Sequence, residues 1–117
     1  MTDNKLYLDD IRNPKSSEFK IVRSYEEAID YVKAHGIPKY ISFDHDLGCT
    51  ESGKLLPSGH DFAKWLVEMD IEKLHTFPSD FKFNVHSANP IGRNNIQALL
   101  NNYLLFRINH MFKKIVK

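Results

Sequence analysis

The sequence predicts an α/β domain built on a parallel sheet of about four strands flanked by helices. Three observations predict it. Short β-like runs alternate with amphipathic helical stretches, the pattern of parallel strands joined by crossovers. The run Tyr40–Phe43 is apolar almost throughout, as suits a strand covered on both faces. Three such runs also end in acids or a histidine. Leu6-Tyr7-Leu8 ends in Asp9-Asp10, Tyr40-Ile41-Ser42-Phe43 in Asp44-His45-Asp46, and the run 81–85 in His86-Ser87. In an open parallel sheet the ligand crevice lies outside the carboxyl ends of the strands. Three strands therefore deliver charged groups to one edge.

The elements follow in order. Lys5–Leu8 reads as the first strand, and Pro14 with Ser16 and Ser17 marks the next stretch as loop, too short for a full crossover helix. Residues 19–22 form a second short strand. Ser24 opens a helix with a capping box, since Glu27 stands three residues on, and Gly36 with Pro38 ends it. After the third strand, residues 47–56 are polar and glycine-bearing, a long connection of the kind that carries function. Ser58 and Asp61 make a second capping box, opening a helix whose stripe is Phe62, Trp65, Leu66 and Met69. Residues 81–85 form the fourth strand. Pro90 then suits the first turn of a helix with inner face Ile96, Leu99, Leu100 and Tyr103. Lys113, Lys114 and Lys117 read as a solvated helix end.

Size and composition bound the function. The chain has 117 residues, enough for one domain spanning 1–117 with its own core. A net charge of +1 predicts no bulk attraction to nucleic acid, hence no extended nucleic-acid surface. No apolar run approaches the ~20 residues of a membrane helix, and Met1-Thr2-Asp3-Asn4 begins no signal-peptide pattern. A single cysteine, Cys49, allows no internal disulfide and fits a reducing cytoplasm. Alone, it reads as loop packing rather than as a zinc ligand.

Chemistry concentrates at the strand ends. Asp9, Asp10 and Asp44 are clustered carboxylates that repel one another, and a hard cation such as magnesium would compensate them. The competing reading has Asp9 and Asp46 merely decorating strand ends. His45 and His86 can act as general acid and base or as metal ligands. His86 taken alone also fits a satisfied core histidine, while His35, His60, His75 and His110 read as structural or surface. The turn from Ser87 through Asn89 into the Pro90 helix presents backbone N–H groups to an anion, and Arg93 adds a planar fork. Asn89 also fits an N-cap and Arg93 a surface charge. Arg12 is a second phosphate-binding candidate.

The acidic pair after the first strand, Asp44 after a central strand and the hydroxyl of Ser87 after the next resemble the receiver domain of two-component signalling. Two parts of that pattern are absent. No strand ending in lysine follows the last helix, and the first crossover helix is missing. The segments LYLDDIRNP, ISFDHDLG, SGHDFAKWL and VHSANPIGRNNI are more similar to the cyclic-phosphate-processing receiver-like family, over about Leu6 to Tyr103. This resemblance implies a flavodoxin-like, receiver-like fold and action on cyclic nucleotides or cyclic-phosphate RNA ends. It implies magnesium or manganese on Asp9, Asp10 and Asp44. It implies proton transfer by His45 and His86. With Asp44 these make the catalytic candidates, and Ser87, Asn89, Arg93 and Arg12 remain the substrate-binding candidates. The alternatives are a non-catalytic module binding a nucleotide or protein, and a phospho-acceptor receiver using Asp44.

Overall fold

A computed structural model describes the backbone of residues 5–116 and the side chains of residues 5–110. The order is β1 (Lys5–Leu8), β2 (Lys20–Val22), α1 (Tyr25–His35), β3 (Tyr40–Phe43), α2 (Gly59–Ile71), β4 (Lys82–Val85) and α3 (Pro90–Val116). All pairings are parallel, and the strands lie in the order β2-β1-β3-β4. The chain therefore reverses direction across the sheet between β1 and β3, which is where an open sheet of this kind binds ligands. Residues 9–19 join β1 to β2 without a helix, as the short connection requires. Among the described residues no strand follows α3, so no fifth strand brings in a lysine.

The side-chain alternation of a strand separates two faces. Leu6, Leu8, Ile41, Phe43 and Val85 form one face and join Ala28 and Val32 of α1, Phe62 and Leu66 of α2, and Ile96 and Leu100 of α3 in a single core. The opposite face carries Tyr7, Tyr40 and Ser42. With no first crossover helix to cover it, the returning segment supplies Phe19, whose ring lies 5.7 Å from Tyr7 and 5.8 Å from Tyr40. Burial of Phe19 against two aromatic rings replaces part of what the missing helix would contribute.

The capping signals resolve differently. In α2 both arms form: the Asp61 N–H donates to Ser58 Oγ at 3.2 Å, and the Ser58 N–H donates to Asp61 Oδ2 at 2.8 Å. In α1 the Glu27 N–H donates to Ser24 Oγ, but the Glu27 carboxylate accepts from the Arg23 N–H, one residue earlier than a closed box requires. The fourth strand starts at Lys82 rather than Phe81, because Phe81 turns back on the Pro78 carbonyl. The side chains of Lys113, Lys114 and Lys117, read as a solvated helix end, lie outside the described residues.

Asp70 clamps α3 to the end of α2. It accepts hydrogen bonds from the Phe77 N–H at 3.0 Å and from the Tyr103 hydroxyl, and it pairs with Arg107 at 3.2 Å. Burial, then the bond to Asp70, pushes the Tyr103 phenol up from 10.0 to about 12. A folded-state value raised above the unfolded one gives stability that is complete below pH 10.0 and is lost as pH rises toward about 12. Thermal melts at pH 9 and pH 11.5 should show a larger loss for wild type than for Tyr103→Phe. Equal losses would remove Tyr103 from the clamp.

Candidate functional site

Register builds the site. Leu8 pairs with Phe43 and Phe43 with Val85, so the next residue of each strand, Asp9, Asp44 and His86, falls in one row. The ladder continues through that row: the Asp9 N–H donates to Val22 O at 3.1 Å, Asp44 N–H to Leu8 O at 2.9 Å, and His86 N–H to Phe43 O at 2.9 Å. Because side chains alternate, all three point away from the helical face. One ligand atom from each of Asp9, Asp44 and His86 lies within 4.8 Å of the others.

Asp9 is 0% exposed and Asp44 4%. Asp9 Oδ1 accepts from the N–H groups of Ile11 (3.0 Å) and Arg12 (2.8 Å). Its Oδ2 faces His86 Nε2 at 2.9 Å and the Arg12 guanidinium at 3.4 Å. Burial pushes the Asp9 carboxyl up, but the Arg12 and Ile11 amides and the His86 ring outweigh it and hold it below the usual range. Asp44 goes the other way. Burial first, and then the charge of Asp9, raise it, against the opposing His45 N–H, His86 and Arg12. Two neighbouring acids with opposite shifts mark a site with too much negative charge for its burial.

His86 is fixed on three sides. Nε2 meets Asp9, Nδ1 meets Ser42 Oγ at 2.7 Å, and the ring stacks on Tyr7 at 4.5 Å with the planes 2° apart. With Asp9 ionised and acceptor-only, a neutral ring donates from Nε2 and accepts the Ser42 hydroxyl at Nδ1. His45 is held differently. Its Nδ1 contacts Asp46 Oδ1 at 2.9 Å, and the Asn89 amide donates to Asp46 Oδ2 at 3.4 Å. Among the described residues its Nε2 has no partner.

Two glycines let the helices close on this row. The Gly59 N–H donates to His45 O at 2.8 Å, and a Cβ on Gly59 would lie 1.8 Å from Asp44 O. A Cβ on Gly92 would lie 2.3 Å from His45 Cγ. The N-termini of α2 and α3 thus reach closer to the Asp44-His45 segment than any side chain at those positions allows.

The other expected site residues divide. Asn89 caps α3 through Oδ1, which accepts from the Gly92 N–H at 3.0 Å, while its amide reaches Asp46. Ser87 is buried and accepts the Asn89 N–H at 3.1 Å, holding the turn. One arm of Arg93 donates to Ser87 O at 3.1 Å, so its fork is partly committed to the strand end. Arg12 stays half exposed beside Asp9. Asp10 is not brought into the row: it sits toward Gly48, where a Cβ would lie 3.4 Å from Asp10 Oδ2. His86 takes the place beside Asp9 and Asp44 that the acidic pair suggested for Asp10. Cys49 is exposed on the loop, where it bridges Leu55.

Sequence reasoning passed over Ser42 and Arg23, gave Asp46 no role beyond a strand-end acid and read His60 as structural or surface. Ser42 was legible in principle, being two residues before Asp44 and so on the same face. Arg23 ties the loop after β1 by donating to Asp9 O, Arg12 O and Asn13 Oδ1, and no local pattern announces that. His60 lies beside His45, with ring centroids 6.4 Å apart.

A four-stranded parallel sheet with acids at the ends of β1 and β3, on either side of the point where the strand order reverses, defines a receiver-like α/β domain. The chain belongs to the cyclic-phosphate processing receiver domain family, which matches residues 4–102. Comparison with curated proteins and with solved structures finds no match. Among the described residues no helix is long and apolar enough to cross a membrane.

Proposed function

We propose that this domain is a metal-dependent phosphoesterase that opens a cyclic phosphate by hydrolysis, on a cyclic nucleotide or a cyclic-phosphate RNA end. The observation that carries this reading is the convergence of Asp9, Asp44 and His86 within 4.8 Å at the β1/β3 edge. Two buried carboxylates, one of them raised by burial and then by the charge of the other, fit a hard divalent cation such as magnesium or manganese. Asp44 and Asp9 would hold the ion, with Asp10 the nearest further carboxylate in sequence. Such an ion, when bound, polarises a phosphoryl group and lowers the pKa of a neighbouring water.

The chain's own residues do the rest. The Ile11 and Arg12 amides keep Asp9 ionised and immobile, and His86 holds its second oxygen. The half-exposed Arg12 guanidinium offers positive charge to non-bridging phosphate oxygens. Asp46 keeps the His45 ring oriented, leaving Nε2 to exchange a proton. Water adds to phosphorus, the ring P–O bond breaks, and the products are a phosphomonoester and a free hydroxyl. The exposed free thiol of Cys49 suits a reducing cytoplasm.

The test has two parts. Magnesium or manganese should raise the melting temperature over EDTA-treated protein, because an ion that binds only the native state stabilises it. A panel of cyclic mononucleotides, cyclic dinucleotides and cyclic-phosphate-ended RNA should then show turnover that EDTA removes. Binding without turnover under any cation would make the domain a binding module. A stable phosphate on Asp44 after treatment with a small phosphodonor would make it a phospho-acceptor.

A further inference from the structure

We infer that the C-terminal half of α3, with the adjoining end of α2, is a docking surface for an anionic lipid bilayer, on which the helix lies without crossing. The net charge of +1 conceals a division along the chain. All 15 acidic residues lie at or before Asp80, together with 10 of the 16 basic ones. The last 37 residues hold the other six, Lys82, Arg93, Arg107, Lys113, Lys114 and Lys117, and no acid. Such an imbalance between parts of one chain points to an anionic partner. The same stretch exposes apolar side chains. The α3 helix runs to Val116, well past residue 102 where the family match ends, and there Leu105, Phe106 and Ile108 are each more than half exposed. So are Ile71 and Leu74 at the end of α2.

The two helix ends form one surface. Ile71 and Phe106 line a groove of about 480 Å³, with Lys73, Arg107 and His110 around it. Asp70, the acid of that groove, is paired with Arg107 at 3.2 Å and leaves no free carboxylate there. At about 100° per residue, Leu105, Phe106 and Ile108 span about 160° of the helix surface. That face is broader than the seam of a coiled coil, and it suits a bilayer, into which an amphipathic helix sinks its apolar side with Lys and Arg alongside. A second copy would set one acid-free helix against another and bring like charges together. A nucleic-acid strand would match the charge and leave the aliphatic Leu105 and Ile108 without a partner. No described helix is long and apolar enough to cross a membrane, so the contact is with its surface. The topology sets the orientation. Gly59 and Gly92 hold the N-termini of α2 and α3 against the Asp44-His45 segment, whereas Asp70 near the end of α2 bonds Phe77, ahead of β4. The docking surface is therefore at the opposite end of the sheet and leaves the Asp9–Asp44–His86 row clear of the bilayer.

The experiment is co-sedimentation of the full chain with vesicles of phosphatidylcholine alone and of phosphatidylcholine with about one-third phosphatidylserine. The wild type should bind the mixed vesicles, bind pure phosphatidylcholine at least about tenfold more weakly, and lose binding as salt rises from about 0.05 to about 0.5 M. Leu105→Ser combined with Ile108→Ser should weaken binding to the mixed vesicles at least about tenfold. The melting temperature should stay at the wild-type value, because both side chains are exposed. Lys113→Glu combined with Lys114→Glu should weaken binding as much and flatten its salt dependence. Ile91→Ser alters an exposed apolar residue in the first turn of α3, at the site end, and should bind as wild type does. Equal affinity for the two vesicles, or none for either, overturns the proposal. So does an Ile91→Ser protein weakened as much as the Leu105 and Ile108 variant, which would reduce the effect to general adhesion. A wild type that leaves both vesicles free but forms a dimer broken by Ile108→Ser, or binds a glutamate-rich peptide or poly(A), gives the face to that partner and overturns the proposal as well.

Discussion

Asp9→Ala is expected to destabilise the metal-free protein by about 3–5 kcal/mol, the cost of leaving one side of a buried charged network without its partner. The Ile11 and Arg12 amides and the His86 ring would all lose their acceptor inside the protein. Its neighbour should behave in the opposite sense. Asp44→Asn should raise the stability of the metal-free protein at pH 7, because burial and Asp9 both oppose the Asp44 charge there. The pH dependence carries the same signs. Asp9, held below its unfolded value, gives stability that is present above that value and is lost as pH falls through its folded one. Asp44, held above its unfolded value, favours the fold only at pH low enough to protonate it. Urea melts of both variants in EDTA at pH 7 check this. Two variants shifted in the same direction would show that the acids are not electrostatically opposed. The metal-induced rise in melting temperature should also vanish in Asp44→Asn, although that protein is the more stable one without metal.

Gly92→Ala is expected to separate activity from stability. The new methyl would lie 2.3 Å from Cγ and 2.5 Å from Cδ2 of His45. That ring is partly exposed and can swing toward solvent, breaking its 2.9 Å contact with Asp46. Alanine also gains roughly 1 kcal/mol of helix propensity over glycine, so net stability should stay near the wild-type value. Turnover should fall at least about 10²-fold, the scale on which misplacing a reacting group by an ångström acts. Gly59→Ala makes the contrast, since its methyl would meet a backbone oxygen that cannot rotate away. There the expected result is lost stability of about 1–3 kcal/mol, the range for overpacking. Cyclic-phosphate turnover and urea melts of the two proteins decide it. Full turnover in Gly92→Ala would place His45 outside the chemistry.

Local pattern alone determined the parallel α/β architecture, the missing first helix and the residues closing β1, β3 and β4. These are legible because strand ends, capping serines and a short connection leave their marks within a few consecutive residues. Asp9, Asp44, His45 and His86 were therefore found before any register was known. What each side chain does there was decided only in three dimensions. Asp10 neighbours Asp9 in sequence, but the chain has left β1 and bends at Asp10, so its carboxylate lies toward Gly48 while His86 joins Asp9 and Asp44. Glu27 stands at capping-box spacing and yet bonds the Arg23 amide. Arg93 has phosphate-binding chemistry but spends one arm on the Ser87 carbonyl. His60 read as structural because nothing near it in sequence is unusual. Its place beside His45 depends on two backbones meeting at Gly59, and such a close approach between distant segments leaves no local periodicity to read.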